Sequence, residues 1–88
     1  MAWTIEYTDT ARRSLRKLDK VAARRIVDYL EKRVAGLDDP HELGQALSGP
    51  LGGRWRYRVG DYRIIADIQG AKLLVLVLQV SHRSTAYR

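Results

Sequence analysis

Arginine alternates with aromatic residues in Arg54-Trp55-Arg56-Tyr57-Arg58 and returns at Arg63. The chain closes on His82, Arg83, Tyr87 and Arg88. Guanidinium groups grip phosphate oxygens through paired hydrogen bonds and stay charged at physiological pH. A histidine titrates near neutrality and moves protons. A tyrosine stacks on a splayed base or donates a hydrogen bond. These types together fit cleavage of a phosphodiester with the ribose 2′-hydroxyl as nucleophile and no metal. Such a cut needs an acceptor for the 2′-OH proton, cations for the charge developing on phosphorus, and a donor for the departing 5′-oxygen. His82 is the preferred candidate for proton transfer. Arg63 and Arg83 suit the charge on phosphorus.

The charge distribution points the same way. Sixteen Lys and Arg against ten Asp and Glu give a net charge of +6. Through residue 53, nine basic side chains face eight acidic ones; from residue 54 on, seven face two. Nearly all of the excess therefore lies in the last third, and six of its seven cations are arginine. A generic solubilising surface would also carry net charge, but this clustering suits a polyanionic partner.

The 88 residues have room for one small core, so a single domain over 1–88 is expected. A chain that is 45% hydrophobic and 30% charged is globular rather than disordered. It has no cysteine, which excludes a disulfide scaffold, a thiolate metal site and a cysteine nucleophile. The longest apolar run, Leu73 to Leu78, is far short of the roughly 20 residues of a membrane span, and no membrane partner is expected. The opening residues carry no export signal, so a cytoplasmic location is the default.

Positioning the arginines requires a scaffold. Trp3 to Tyr7 alternates like a short strand, and Thr8-Asp9-Thr10 offers caps for a helix running through Leu18. Asp19 caps a second helix, whose stripe is Ala22, Ile26, Leu30 and Val34, with Gly36 as its left-handed end. The remaining basic residues of both helices read as a solvated face, with Asp28 and Lys32 forming a helical pair. Residues 37–53 form a long loop, pinned to the core by Leu43, Leu47 and Leu51. A β-meander follows. Leu73 to Val80 is almost wholly apolar and is expected to be a central strand buried on both faces. The expected fold is α+β, in the order β-αα-β-β-β: a small antiparallel sheet with a two-helix hairpin packed on one face.

Gly60-Asp61 is a two-residue hairpin turn of type II′. It sets Val59 opposite Tyr62, Arg58 opposite Arg63, Tyr57 opposite Ile64, Arg56 opposite Ile65, Trp55 opposite Ala66 and Arg54 opposite Asp67. Side chains alternate between faces. One face then holds Trp55, Tyr57, Val59, Tyr62, Ile64 and Ala66 for the core. The other holds Arg54, Arg56, Arg58 and Arg63. Arg58 facing Arg63 is a destabilising pair. Either the two splay into water with their stems covering the sheet, or an anion lies between them. The C-terminal segment can fold back beside this face and bring His82, Arg83, Tyr87 and Arg88 to it.

Leu51 to Ile65, with its Gly-Asp-Tyr-Arg turn, and the closing His82-Arg83-Ser84-Thr85-Ala86-Tyr87-Arg88 resemble the RelE branch of the RelE/ParE toxin superfamily over nearly the whole chain. The resemblance implies a ribosome-dependent mRNA endonuclease acting in the ribosomal A site, with no cofactor, and a cognate antitoxin as partner. By position it implies that Arg56 and Arg58 are the basic pair of the first meander strand, that Arg63 binds phosphate, that Arg83 assists the leaving group and that Tyr87 orients the substrate. With His82, read from its own chemistry, the expected catalytic set is Arg58, Arg63, His82, Arg83 and Tyr87, and Arg54, Arg56 and Arg88 are expected to bind substrate. Arg56 and Arg58 stand where some relatives have lysine. No glutamate lies in the meander, so the general base stays open, with His82 preferred. Two other readings share the scaffold: a ParE-like inhibitor of DNA gyrase, and a binding module without chemistry.

Overall fold

A computed structural model describes residues 3–82, so Arg83, Tyr87 and Arg88 lie outside the described residues. Strand β1 (Thr4–Tyr7) leads into helix α1 (Asp9–Lys17) and helix α2 (Lys20–Asp28), which widens into a π-helical turn over Tyr29–Val34. A two-residue strand β2 (Gln45–Ala46) precedes the meander of β3 (Trp55–Val59), β4 (Tyr62–Gln69) and β5 (Leu74–His82). The sheet order is β1-β5-β4-β3-β2.

Both helices begin where the sequence places their caps. The Thr8 side chain accepts from the Ala11 amide, and the Asp19 carboxylate accepts from the Ala22 amide. Each satisfies one of the orphan donors of a helix start. Lys32 Nζ sits 3.7 Å from Asp28 Oδ1, the expected i,i+4 pair. The expected apolar stripe is the buried one: Ile26, Leu30 and Val34 are fully covered and pack with Tyr57, Ile64, Ala66, Val75 and Val77. The second helix does not close on a left-handed glycine. Its last turn widens so that the Ala35 amide donates to Leu30 O, and Gly36 has no positive φ.

The sheet is mixed, where an antiparallel one was expected. β3, β4 and β5 form the antiparallel meander, but β1 pairs with β5 in parallel, Thr4 beside Leu74 and Tyr7 beside Val77. The direction of β1 follows from its ends. The Trp3 amide donates to Ala35 O after the π turn, and the Thr8 amide, at the start of α1, donates to Val77 O. β2 pairs with β3 in a ladder too short to have a periodicity.

β5 is central, but it is not buried on both faces. Val75, Val77 and Val80 are covered by the helices, while Leu74, Leu76 and Leu78 on the open face are only half-buried. Its apolar composition goes with strands on both sides, not layers on both sides. A bulge interrupts it: Ile65 pairs with Gln79 but Ala66 with Val77, so Leu78 is an extra residue. The long loop is pinned less than expected, since Leu43 packs on the core but Leu51 is 48% exposed.

Candidate functional site

The hairpin carries the charges in the expected register. All five expected rungs from Trp55–Ala66 to Val59–Tyr62 are present, and Arg58 stands opposite Arg63. Gly60 has φ +57 and Asp61 has no positive φ, as a type II′ turn requires and a type I′ turn does not. Tyr57, Val59, Ile64 and Ala66 are buried beneath the helices, which sends Arg56, Arg58 and Arg63 to the open face. On the other side of Arg63 the cross-strand partner is Ser81. The three arginines therefore share one side of the sheet, next to a small hydroxyl residue.

Their surroundings differ. Arg54 Nη1 lies 3.8 Å from Asp67 Oδ1, the expected partner, and Gln69 Nε2 donates to the same carboxylate at 3.0 Å. Arg56 is half-buried and donates through Nη2 to Gln45 Oε1 of the neighbouring edge strand. Its Nε is covered and lacks a hydrogen-bond partner. Gln45 thus fixes one end of the Arg56 guanidinium without neutralising it. Arg58 is exposed and Arg63 half-buried, so the pair spans the solvent boundary of this face.

His82 departs from expectation. It was expected beside the arginines, but it pairs with Tyr62 on the helix face, with ring centroids 5.3 Å apart and planes at 82°. The bulge at Leu78 is the reason. Unbroken alternation from Val77 would carry Gln79 and Ser81 inward and His82 outward; the extra residue turns Val80 and His82 inward instead. The sheet therefore separates the imidazole from the Arg58–Arg63 pair. Here His82 helps line a cavity of about 220 Å³ between α2 and the hairpin tip, with Arg25, Tyr62 and Asp61 among its other walls.

The sequence reading did not single out a second polar cluster. His41 Nδ1 is 2.6 Å from Asp39 Oδ1, and its ring stands edge-on to Trp55 at 4.5 Å. The hydrogen bond from His41 holds the Asp39 carboxyl below its ordinary value of 3.8. Nothing in the local spacing marks this contact, because Trp55 arrives from β3.

This architecture has known counterparts. The family model for the ParE toxin of the type II toxin–antitoxin system parDE matches residues 5–87. The chain belongs to the RelE/ParE family of type II toxins. It is 32% identical to Toxin RelG of Mycobacterium tuberculosis over 88 residues, covering all of this chain and 99% of that one. It is likewise 32% identical to Toxin RelE of the same organism over 84 residues, covering 96% of this chain and 84% of that one. Among solved structures, the toxin–antitoxin complex RelBE2 of M. tuberculosis aligns with a TM-score of 0.87 at 30% identity, covering 96% and 94% of the two chains. The archaeal RelE–RelB complex of Pyrococcus horikoshii aligns at 0.67 and 25%, covering 98% and 100%. The α+β architecture is thus that of the RelE toxins, and in this family member the described part of the arginine face comes from β3 and β4.

Proposed function

We propose that this RelE/ParE-family chain is a metal-independent, ribosome-dependent mRNA endonuclease that inhibits translation. The observation that supports this reading is the placing of Arg56, Arg58 and Arg63 on one open side of the sheet. A scissile phosphate lies on this face. Arg58 and Arg63 hold its non-bridging oxygens and stabilise the charge that grows as the 2′-oxygen attacks, its proton passing to solvent water on this open face. Because those groups are already in place and charged, they favour the transition state over the singly charged ground state. Arg83 assists the departing 5′-oxygen and Tyr87 orients the substrate base, as the family pattern implies. Arg54, Arg56 and Arg88 bind the flanking phosphates. Asp67 tempers Arg54, which suits binding better than catalysis.

The partner that restrains this activity is a cognate antitoxin with an acidic or amphipathic segment. The similarity to the RelBE2 and P. horikoshii RelE–RelB complexes supports it, as does charge complementarity to the arginine face. Cytoplasmic action follows from a ribosomal target. Among the described residues no helix is long and apolar enough to cross a membrane.

The test is inducible expression with mapping of mRNA ends and a measure of bulk translation. Cuts within translated frames are expected, lost in Arg63→Ala and in Arg83→Ala variants that keep their fold. Poisoned gyrase with intact mRNA would establish the ParE-like activity instead. Salt-sensitive RNA binding with no cutting in a ribosome-containing extract would leave a binding module.

A further inference from the structure

The cavity at the hairpin tip is not part of the arginine face, yet it is only one rung away from it in sequence. Val59 and Tyr62 point into it, while their neighbours Arg58 and Arg63 point to the opposite side. The two sites stand back to back, and the Gly60–Asp61 turn is where the two faces meet. A strand of nucleic acid can pass from one to the other around that tip without crossing the sheet.

We infer that this cavity is a second RNA subsite, which takes a base further along the strand whose scissile phosphate lies on the arginine face. The inference rests on the RNA-cleaving reading above. Three features fit a base. Tyr62 and His82 offer aromatic surface in an edge-to-face pair, and base stacking on such rings tolerates any sequence. Ala22 and Val59 give an apolar wall. Arg25 supplies a cation over the turn, its Nη2 lying 3.8 Å from where a Cβ on Gly60 would stand. The missing side chain at Gly60 keeps that rim open. The volume, about 220 Å³, is below the roughly 300–1,000 Å³ of a drug-sized site. It suits one ring system and excludes a base pair, so the strand it accepts is single. A site for a bare anion would need the cation but not the aromatic pair or the apolar wall.

The experiment is an NMR titration of the full chain with 5′-AMP, adenosine and ribose 5-phosphate in parallel. The inference expects AMP and adenosine to shift resonances of Ala22, Gly60, Tyr62 and His82, and ribose 5-phosphate to leave them in place. Tyr62→Ala is expected to weaken AMP binding about tenfold or more. Since Tyr62 also packs against the core, Ala22→Leu serves as the second variant: it fills the cavity without removing a contact and gives the same loss. Arg25→Gln lowers affinity for AMP but not for adenosine. Equal shifts with ribose 5-phosphate, shifts confined to the Arg56–Arg58–Arg63 face, or undiminished binding in folded Ala22→Leu would each overturn the inference. Arg63→Ala separates it from the proposed activity. Lost cutting with intact AMP shifts supports both; AMP shifts from a protein that cuts no mRNA leave the cavity standing and remove the nuclease; cutting without AMP shifts does the reverse.

Discussion

Arg58 and Arg63 are directly opposed across β3 and β4, one rung from the turn, with Ser81 next to Arg63 on β5. Directly opposed side chains on a sheet come within about 4.5–5.5 Å at Cβ, and like charges there cost a few tenths of a kcal/mol up to about 1. The core gains nothing from this arrangement, since both side chains leave the sheet on the side away from the helices. A phosphate between them reverses the sign of the interaction.

Substituting one member should therefore stabilise the free protein. Arg58→Gln is expected to raise stability by a few tenths of a kcal/mol, or about 1–3 °C in melting temperature for a domain of this size. Added salt screens the repulsion, so the gain shrinks as salt rises. Thermal melts of parent and variant at low and high salt check it; a variant that melts lower at both contradicts the repulsion.

Asp39 makes the acid limb of stability testable. Its carboxyl is held down by the His41 ring and by the His41 amide. A carboxyl with a lowered value in the folded state contributes stability above its unfolded value of 3.8, and loses it as pH falls through the lowered one. Asp39→Asn keeps a cap for the turn at Pro40–Leu43 but loses the charged acceptor. The parent should unfold at higher urea than Asp39→Asn above pH 3.8, with the two curves merging in stronger acid. A gap that persists below that range would count against the His41 contact.

The hairpin was legible because its turn chemistry and its alternation agree. Gly60-Asp61 fixes the turn, and a two-residue turn leaves one register that buries Tyr57, Ile64 and Ala66 together. The caps at Thr8 and Asp19 were legible for a similar local reason. The side of His82 was not. Leu73 to Leu78 is apolar at every position, so nothing in its pattern records where alternation breaks, and the bulge at Leu78 moves everything after it to the other face. The parallel pairing of β1, the contact of His41 with Trp55 and the approach of Arg25 to the turn are likewise tertiary: each joins residues distant in sequence.

The bulge has its own support, which separates two otherwise similar caps. Thr8 Oγ1 accepts from the Ala11 amide at 3.1 Å and donates to Leu78 O at 3.0 Å, so one hydroxyl caps α1 and satisfies the bulged strand. Asp19 serves α2 alone. Asp19→Ala should cost about 1 kcal/mol, the usual value of a cap. Thr8→Ala should cost about 2, because it also leaves a part-buried carbonyl without its donor. Thr8→Ser, which keeps both bonds, should stay within about 0.5 kcal/mol of the parent. Urea unfolding of the three variants decides it, and equal costs for Thr8→Ala and Asp19→Ala would mean that the hydroxyl does no more than cap.

Two phenols set the alkaline limb. Burial pushes Tyr57 up, aided by Tyr29 and Asp39, while its hydroxyl donates to Pro40 O at 2.7 Å. Burial also pushes Tyr7 up, aided by Glu31, whose Oε2 accepts from the Tyr7 hydroxyl at 2.7 Å. Both lie above the ordinary value of 10.0, so their contribution is complete below pH 10.0 and is lost as pH rises toward the folded-state values. While a tyrosine stays protonated in the fold and ionises in the unfolded chain, stability falls by up to about 1.4 kcal/mol per pH unit. Tyr7 is half exposed and should fall short of that. Tyrosinate absorbance followed together with far-ultraviolet circular dichroism should show Tyr57 ionising only as the fold is lost. Tyr7→Phe should flatten the fall in stability above pH 10.0. In Tyr57→Phe the fall should flatten more, from a starting stability that the variant has already lowered by about 1–3 kcal/mol through the orphaned Pro40 carbonyl. Full tyrosine ionisation with the fold intact would show that neither phenol is held as the structure describes.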